Sequence, residues 1–302
     1  MKNNMLEGKI IKGIAGFYYV KSGETVYRCK ARGIFKERGI KPAVGDLVQV
    51  EVIEGNDDSL ITEILPRKNC FIRPFIANVD CFIIVTAVAR PAPIIQTIDR
   101  FLVMAEKADT DVVVCINKCD LASEEGSRAQ RKNAQTRDEL LEIYEPIYPT
   151  VCLEKDGEEG LEQLLALIKG KTAALAGASG VGKSTILNKL IPHASMETGN
   201  ISEKSQRGKH TTRHSELFTL DEQSQTMLFD TPGFTSFDIL EADEAELQFL
   251  YPDIAKYVGK CRYDNCRHIA EPGCGVKEAV EKGLIHSKRY ESYKTQMEEI
   301  RK

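Results

Sequence analysis

No run in this chain of 302 residues could cross a bilayer. The longest apolar stretch, Cys81 to Ala89, falls far short of the about 20 residues a spanning helix needs. The amino end, Met1-Lys2-Asn3-Asn4-Met5-Leu6-Glu7-Gly8, lacks the apolar core of a secretion signal. Nine cysteines, an odd number and mostly scattered singly, do not make a secreted disulfide framework, so a reducing cytoplasm is the expected compartment. No lipidation motif, amphipathic anchor, internal repeat or low-complexity segment is visible, and no membrane partner is expected. What is present is ordinary for a globular chain: 42% hydrophobic and 28% charged residues, enough for two or three domains with their own cores.

The net charge of −4 conceals an asymmetry. Residues 1–41 carry ten Lys/Arg against three acids, a balance of +7 that leaves −11 on the rest. A basic end on an acidic protein is the electrostatic footprint of a nucleic-acid contact. Charge alone serves a lysine-rich solvated face equally well.

Three regions follow, 1–68, 69–240 and 241–302. In the first, short strand-like runs (Gly8 to Ala15, Phe17 to Val20, Thr25 to Ala31, Leu47 to Ile53, Leu60 to Ile64) are punctuated by glycines and turn residues. Five such runs in under seventy residues predict a small closed barrel of the oligonucleotide-binding (OB) type, with another small-barrel topology as the alternative. Pro66-Arg67-Lys68 reads as a linker.

Strands and helices then alternate. Val79 to Ala87 is a continuous apolar run, as in a strand buried on both faces, and Asp111 to Ile116 is a second. Helical spacing marks Ile94 to Ala108, Arg137 to Tyr144 and Gly160 to Lys169. Thr172 to Ala176, Leu217 to Leu220 and Thr226 to Phe229 complete the strands. This is an α/β pattern with a mainly parallel sheet. From Ala242 the chain changes to a helix, a Cys/His cluster and a charged C-terminal helix.

The order of two motifs carries most of the functional information. Gly177-x4-Gly182-Lys183-Ser184 follows a predicted strand and opens a predicted helix, the context of a phosphate-binding loop. Its glycines let backbone N–H groups wrap phosphates, Lys183 reaches the β- and γ-phosphates, and Ser184 ligates Mg²⁺. The whole segment, Gly177, Ala178, Ser179, Gly180, Val181, Gly182, Lys183, Ser184 and Thr185, is expected to hold nucleotide. Asn117-Lys118-Cys119-Asp120 ends a buried strand, where open α/β sheets bind ligands. The Asp120 carboxylate can accept from N1–H and N2–H₂ of guanine, donors that adenine lacks. Adenine would thus strand a desolvated charge at a cost of about 1–3 kcal/mol or more. Alone, Asn-Lys-x-Asp is also a common turn. Paired with the phosphate loop it points to GTP, in an order that reverses the usual one.

Asp230-Thr231-Pro232-Gly233 ends a further strand, with Asp230 a candidate for Mg²⁺ and the Gly233 amide for the γ-phosphate. Phe234 follows, where many GTPases place a water-orienting glutamine. A phenylalanine cannot position water. In the polar segment Arg207-Gly208-Lys209-His210-Thr211-Thr212, either threonine could ligate Mg²⁺; Thr212 is the one taken here. His210 is the catalytic candidate to replace the glutamine, against the alternative of a surface histidine that touches RNA.

Cys261-x4-Cys266-x-His268-x5-Cys274 gathers three thiols and an imidazole, a closed ligand set for one tetrahedral, structural Zn²⁺. Lys260, Arg262 and Arg267 around it suit phosphate contact. The other cysteines, at 29, 70, 81, 115, 119 and 152, read as packing residues.

A guanine loop, then a phosphate loop, then His-Thr-Thr, then Asp-Thr-Pro-Gly, with a small barrel before and the Cys/His cluster after, closely resembles the ribosome small-subunit-dependent GTPase A family of bacteria. The resemblance covers essentially the whole chain. It implies an OB barrel over 1–68, a circularly permuted P-loop GTPase domain over 69–240 and a zinc domain over 241–302. It further implies GTP hydrolysis with Mg²⁺, stimulated by the 30S subunit and its 16S rRNA during late maturation, by a cytoplasmic monomer in which His210 takes part in hydrolysis. The sequence departs from the family at the loop that backs the guanine. Ser-Ala is usual there, and this chain reads Val151-Cys152-Leu153-Glu154-Lys155. An RNA-binding assembly factor that holds GTP as a structural ligand is the competing reading, favoured by Phe234.

Overall fold

The computed structural model describes residues 4–37, 39–53, 55–191, 215–230 and 242–301. The chain divides into two compact units. One comprises Met1–Cys81, Ile168–Leu175 and Ser184–Phe234, and the other Phe82–Leu167, Ala176–Lys183 and Thr235–Lys302.

In the first unit, β1 (Asn4–Ile14), β2 (Phe17–Ser22), β3 (Thr25–Ala31), β4 (Leu47–Val52) and β5 (Ser59–Ile64) close a barrel. Along its first half β1 pairs antiparallel with β4, and along its second half with β2. A register shift between Ile10 and Lys12 bends it so that one strand serves both sides. The β3–β5 pair is parallel, and the short helix α1 (Gly33–Glu37) follows β3. That order settles the barrel as the OB type. Alternation explains the interior: Ile10, Val20, Cys29, Val48, Val50 and Ile61 point inward and are fully buried.

Residues 66–68 are not the free linker expected from sequence. Arg67 ion-pairs with the fully buried Asp46 at 2.7 Å and also donates to the Lys41 carbonyl at 2.8 Å. A small hairpin unforeseen from sequence, β6 (Cys70–Ile72) and β7 (Phe75–Ala77), follows. The same unit contains β11 (Thr172–Ala176, of which the last residue belongs to the other unit), β12 (Glu216–Asp221) and β13 (Thr226–Asp230). β11 runs parallel to β13, β12 antiparallel to it, and β12 joins β1 at Lys12↔Glu216, where the two side chains form a 3.0 Å ion pair.

In the second unit, β8 (Cys81–Ala87, of which the first residue belongs to the other unit) and β9 (Asp111–Asn117) lie side by side, with β10 (Thr150–Cys152) parallel to β9. Every residue of β8 and all but the first of β9 are buried, as their apolar runs require. α2 (Ile95–Lys107) and α3 (Arg128–Tyr144) pack on β9, and α4 (Glu159–Leu167) on β10. α3 begins nine residues before the stretch expected from periodicity, because Ser127 and Gln130 form a reciprocal capping box at its start.

The carboxyl-terminal part adds α6 (Pro252–Ala255), α7 (Gly275–Glu281) and α8 (Ser287–Ile300). α8 is charged in sequence, yet it buries Arg289 completely. The guanidinium pairs with Asp99 of α2 and, at 2.9 Å, with Asp253 of α6, and its centre lies 4.5 Å from the Tyr251 ring centroid. Tyr144 donates to Asp99 at 3.0 Å. Around this polar centre Leu247, Tyr251, Ile254, Val276, Tyr293 and Met297 form one apolar cluster with Cys266 and Cys274.

Candidate nucleotide site and metal centre

Two loops of the second unit meet at the ends of buried strands. The first continues β9. Asn117 is its last residue and is 8% exposed, Lys118 turns the backbone into the left-handed region at φ 62°, and a 3₁₀ turn, Cys119–Leu121, follows. The second begins where β11 ends, and its last lysine opens α5 (Lys183–Leu190). The Asn117 amide donates to the Val181 carbonyl at 2.9 Å. Lys118 Nζ donates to the Gly180 carbonyl at 2.8 Å and to the Arg90 carbonyl. The Asn117 and Lys118 side chains thus both span the two loops.

Glycine is required where those loops pass closest. A Cβ on Gly177 (φ +143°) would stand 2.2 Å from the Val85 carbonyl oxygen, and one on Gly182 (φ +106°) would stand 2.2 Å from the Asn117 amide nitrogen. With no side chain in the way, the loop lies against β8 and the Asn117 amide while its own amides stay available to an anion.

Lys183 Nζ donates to the carbonyls of Gly177 and Ala178 at 2.6 and 2.8 Å. Burial pulls its ammonium down to a pKa of about 8. Neutral carbonyls offset little of that desolvation, and a phosphate in the loop would restore the charge. Asp120 is exposed, and one of its carboxylate oxygens accepts from the Lys155 amide at 3.1 Å. The Cys119 amide in turn donates to the Leu153 carbonyl at 3.0 Å. Residues 153–155, in place of the usual Ser-Ala, therefore hold the guanine loop through their backbone.

Ser179 and Gly180 form the exposed tip of the phosphate loop, Ala178 before them is half-buried, Val181 is buried, and Ser184 and Thr185 are exposed in the first turn of α5. Asp230 ends β13 and is partly buried. Gly233, His210, Thr211, Thr212 and Phe234 lie outside the described residues.

The ligating atoms of Cys261, Cys266, His268 and Cys274 all lie within 4.8 Å of one another, so the four residues could hold a metal ion. Tetrahedral geometry with metal–sulfur bonds of about 2.3 Å sets ligand–ligand edges of about 3.8 Å. Here Cys261 and Cys274 sulfurs are 3.9 Å apart, and His268 Nδ1 is 3.5 and 3.3 Å from them. His268 sits at φ 62°. Its Nε2 faces the Gln248 amide oxygen at 3.0 Å, which fixes the proton on Nε2 and leaves the Nδ1 lone pair for a metal. Gln248 carried no signal in the sequence. Burial pushes the Cys266 thiol up to about 12 and raises Cys274. Burial also lowers His268, favouring the neutral imidazole that coordinates. A cation at the centre reverses the thiol preference and deprotonates them. Backbone amides of Gly275 and Lys277 point at the Cys261 and Cys274 sulfurs, at 3.3 and 3.5 Å. All four positions are filled by protein, so the centre is closed to substrate.

A guanine loop that precedes its phosphate loop, and is tied to it side chain to backbone, places the chain in the class of circularly permuted GTPases. Comparison with known proteins gives the particular family. The RsgA GTPase family model matches residues 64–240, and the RsgA N-terminal domain matches 7–61. A small ribosomal subunit biogenesis GTPase RsgA from Alkaliphilus metalliredigens is 44% identical over 99% of both chains, and one from Agathobacter rectalis is 42% identical over 98% of both. Among solved structures, YloQ, a circularly permuted GTPase, superposes with a TM-score of 0.80 at 34% identity, covering 99% of this chain and 96% of its own. YjeQ from Thermotoga maritima superposes at 0.83 and 33%, covering 98% of each. The chain belongs to the RsgA family and is a GTPase. No helix among the described residues is long and apolar enough to cross a membrane.

Proposed function

We propose that this GTPase acts in small ribosomal subunit biogenesis: it docks on the 30S subunit, contacts 16S rRNA, and hydrolyses GTP in response during late maturation. The observation that carries the reading is the direct tie between guanine and phosphate loops, Asn117 to Val181, in a chain whose curated relatives are named for that process. Asp120 reads guanine, while Gly177 to Thr185 with the Gly233 amide cradle the phosphates. Ser184, Asp230 and Thr212 are the proposed Mg²⁺ ligands. Mg²⁺ supplies charge neutralisation on the β- and γ-phosphates. Lys183 trades its two carbonyl partners for phosphate oxygens, and His210 orients the attacking water in the absence of a glutamine.

The working division is a barrel over 1–68, the GTPase domain over 69–240 and a zinc domain over 241–302, in a cytoplasmic monomer. Zn²⁺ fits the Cys₃His set because three thiolates and an imidazole at tetrahedral spacing suit a borderline-soft ion without geometric preference of its own. Barrel side chains support an RNA contact: Arg28 and Lys30 lie 5.4 and 5.0 Å from the Phe17 ring centroid, cations interleaved with an aromatic face.

The test is phosphate release with and without 30S subunits, for wild type and His210→Ala. Many-fold stimulation that the variant loses, with GTP and 30S affinity retained, supports the reading. No stimulation of the wild type favours the RNA-binding factor with structural GTP. Loss of 30S binding by His210→Ala makes that histidine an RNA contact.

A further inference from the structure

A row of three charges crosses the sheet from the barrel to the proposed Mg²⁺ ligand on β13. Lys12 of β1 stands directly opposite Glu216 of β12, and Glu216 stands directly opposite Asp230, the last residue of β13. Residues paired in this way put their side chains on one face of the sheet, with Cβ atoms about 5 Å apart. Lys12 Nζ lies 3.0 Å from both Glu216 carboxylate oxygens, and each of the two side chains is 33% exposed. The register shift in β1 falls between Ile10 and Lys12, and a shift of this kind re-aims the side chains that follow it. All three residues, and Ser184 with them, belong to the first compact unit.

Like charges directly opposite each other on paired strands repel. Glu216 and Asp230 are two such carboxylates, and the Lys12 ammonium offsets one of them.

We infer that Glu216 is a positioning residue for the Mg²⁺ held at Asp230, and that Lys12 of the barrel sets how strongly it acts. The inference rests on the reading of Asp230 as a Mg²⁺ ligand. The Glu216 carboxylate attracts a divalent cation to the end of β13 without ligating it. Lys12 weakens that attraction, so the two charges oppose each other at the ion. Because Lys12 belongs to β1, the join between barrel and sheet also sets the field at the Mg²⁺ ligand. An ion pair that merely stapled β1 to β12 would behave differently, since loss of either partner would then have the same sign.

A cross-strand step of about 5 Å, with the reach of the carboxylate added, puts the ion about 8 Å from the Glu216 charge. One unit charge at that distance, in the near-aqueous dielectric of a partly exposed pair, changes divalent affinity about fivefold.

The experiment uses the full zinc-loaded chain with a non-hydrolysable GTP analogue, and Mn²⁺ as the probe for Mg²⁺. Free Mn²⁺ is followed by electron paramagnetic resonance, and thermal melts confirm that each variant folds. Glu216→Gln should weaken Mn²⁺ binding about fivefold, and Lys12→Met should tighten it by a similar factor. Lys12→Arg keeps the charge and should match wild type. The double variant Lys12→Met with Glu216→Gln should return to within about twofold of wild type. The single-variant differences should shrink at about 1 M salt, where the Debye length is about 3 Å. Single variants that both shift in the same direction, or that both leave Mn²⁺ affinity unchanged, overturn the inference while Asp230→Asn still weakens the ion. Asp230→Asn that binds Mn²⁺ as wild type does brings down the reading of Asp230 itself, and this inference with it.

Discussion

Gly182→Ala in the phosphate loop tests whether the two loops are one mechanical unit. The new Cβ would stand 2.2 Å from the Asn117 amide nitrogen, at a backbone φ of +106°. Two costs follow. A non-glycine residue in that region stores about 1–3 kcal/mol. Displacing the Asn117 amide also breaks its 2.9 Å bond to the buried Val181 carbonyl, about 1–3 kcal/mol for groups left unsatisfied. The low end of the sum, about 2 kcal/mol, is about 30-fold in GDP affinity. Asn117→Ala alone loses the bond but keeps the glycine, and should cost about 1–3 kcal/mol. The double variant is the informative one. With Asn117 truncated the clash disappears, so the pair should bind GDP no worse than Gly182→Ala alone. The assay is titration of a fluorescent GDP analogue over the four proteins, with thermal melts to confirm folding. Costs that add to within about 0.5 kcal/mol would mean that the two sites are independent, and the argument from the Asn117 tie would fail.

Other expectations follow from the same geometry. Arg289→Leu leaves Asp99 and Asp253 buried without their partner and should destabilise by about 3–5 kcal/mol in chemical denaturation, partly recovered by adding Asp99→Asn; a loss under about 1 kcal/mol would deny the network its role. Asp120→Asn should weaken GTP and favour xanthosine triphosphate, whose 2-oxo group suits an amide donor; unchanged preference for GTP would count against Asp120. Lys183, at a pKa of about 8 in the free loop, gains phosphate partners on binding, so its pKa rises and a proton is taken up. GDP affinity should therefore be level below that pH and fall by up to about tenfold per pH unit above it, and a level profile to pH 9 would refute the assignment. Metal analysis should find one zinc per chain, and Cys266→Ala should unfold the carboxyl-terminal region while nucleotide binding persists; zinc-free protein with an intact fold would remove the metal from the account.

Much of this was legible because the chemistry is local in sequence. Gly177-x4-Gly182-Lys183 specifies its own turn, and four zinc-type ligands within fourteen residues specify theirs. Strand edges were legible for the same reason. Runs such as Cys81 to Ala87 are apolar because both faces are covered, and alternation in β1 to β5 follows from one covered face. The OB topology was not fixed that way. It depends on β3 pairing with β5 in parallel and on β1 reaching both β2 and β4, and strand composition does not record which strands pair.

Pairings between distant residues account for what could not be read. Arg67 looked like linker because its partner, Asp46, lies 21 residues earlier, on the far side of β4 and β5, and a proline next to two cations carries no mark of burial. Arg289 looked like a solvated helix residue because the carboxylates that neutralise it are 36 and 190 positions away. Such groups enter a core only once the fold has brought their countercharges together, since an unpaired guanidinium there would cost several kcal/mol. The same logic applies at the nucleotide site. The motif named Asn117, but its partner is a backbone carbonyl 64 residues later, one every sequence possesses. A permuted chain makes that tie more consequential. Asn117 to Asp120 and Ala176 to Lys183 belong to the same compact unit, although Ile168–Leu175, the stretch that leads into the second of these segments, belongs to the other.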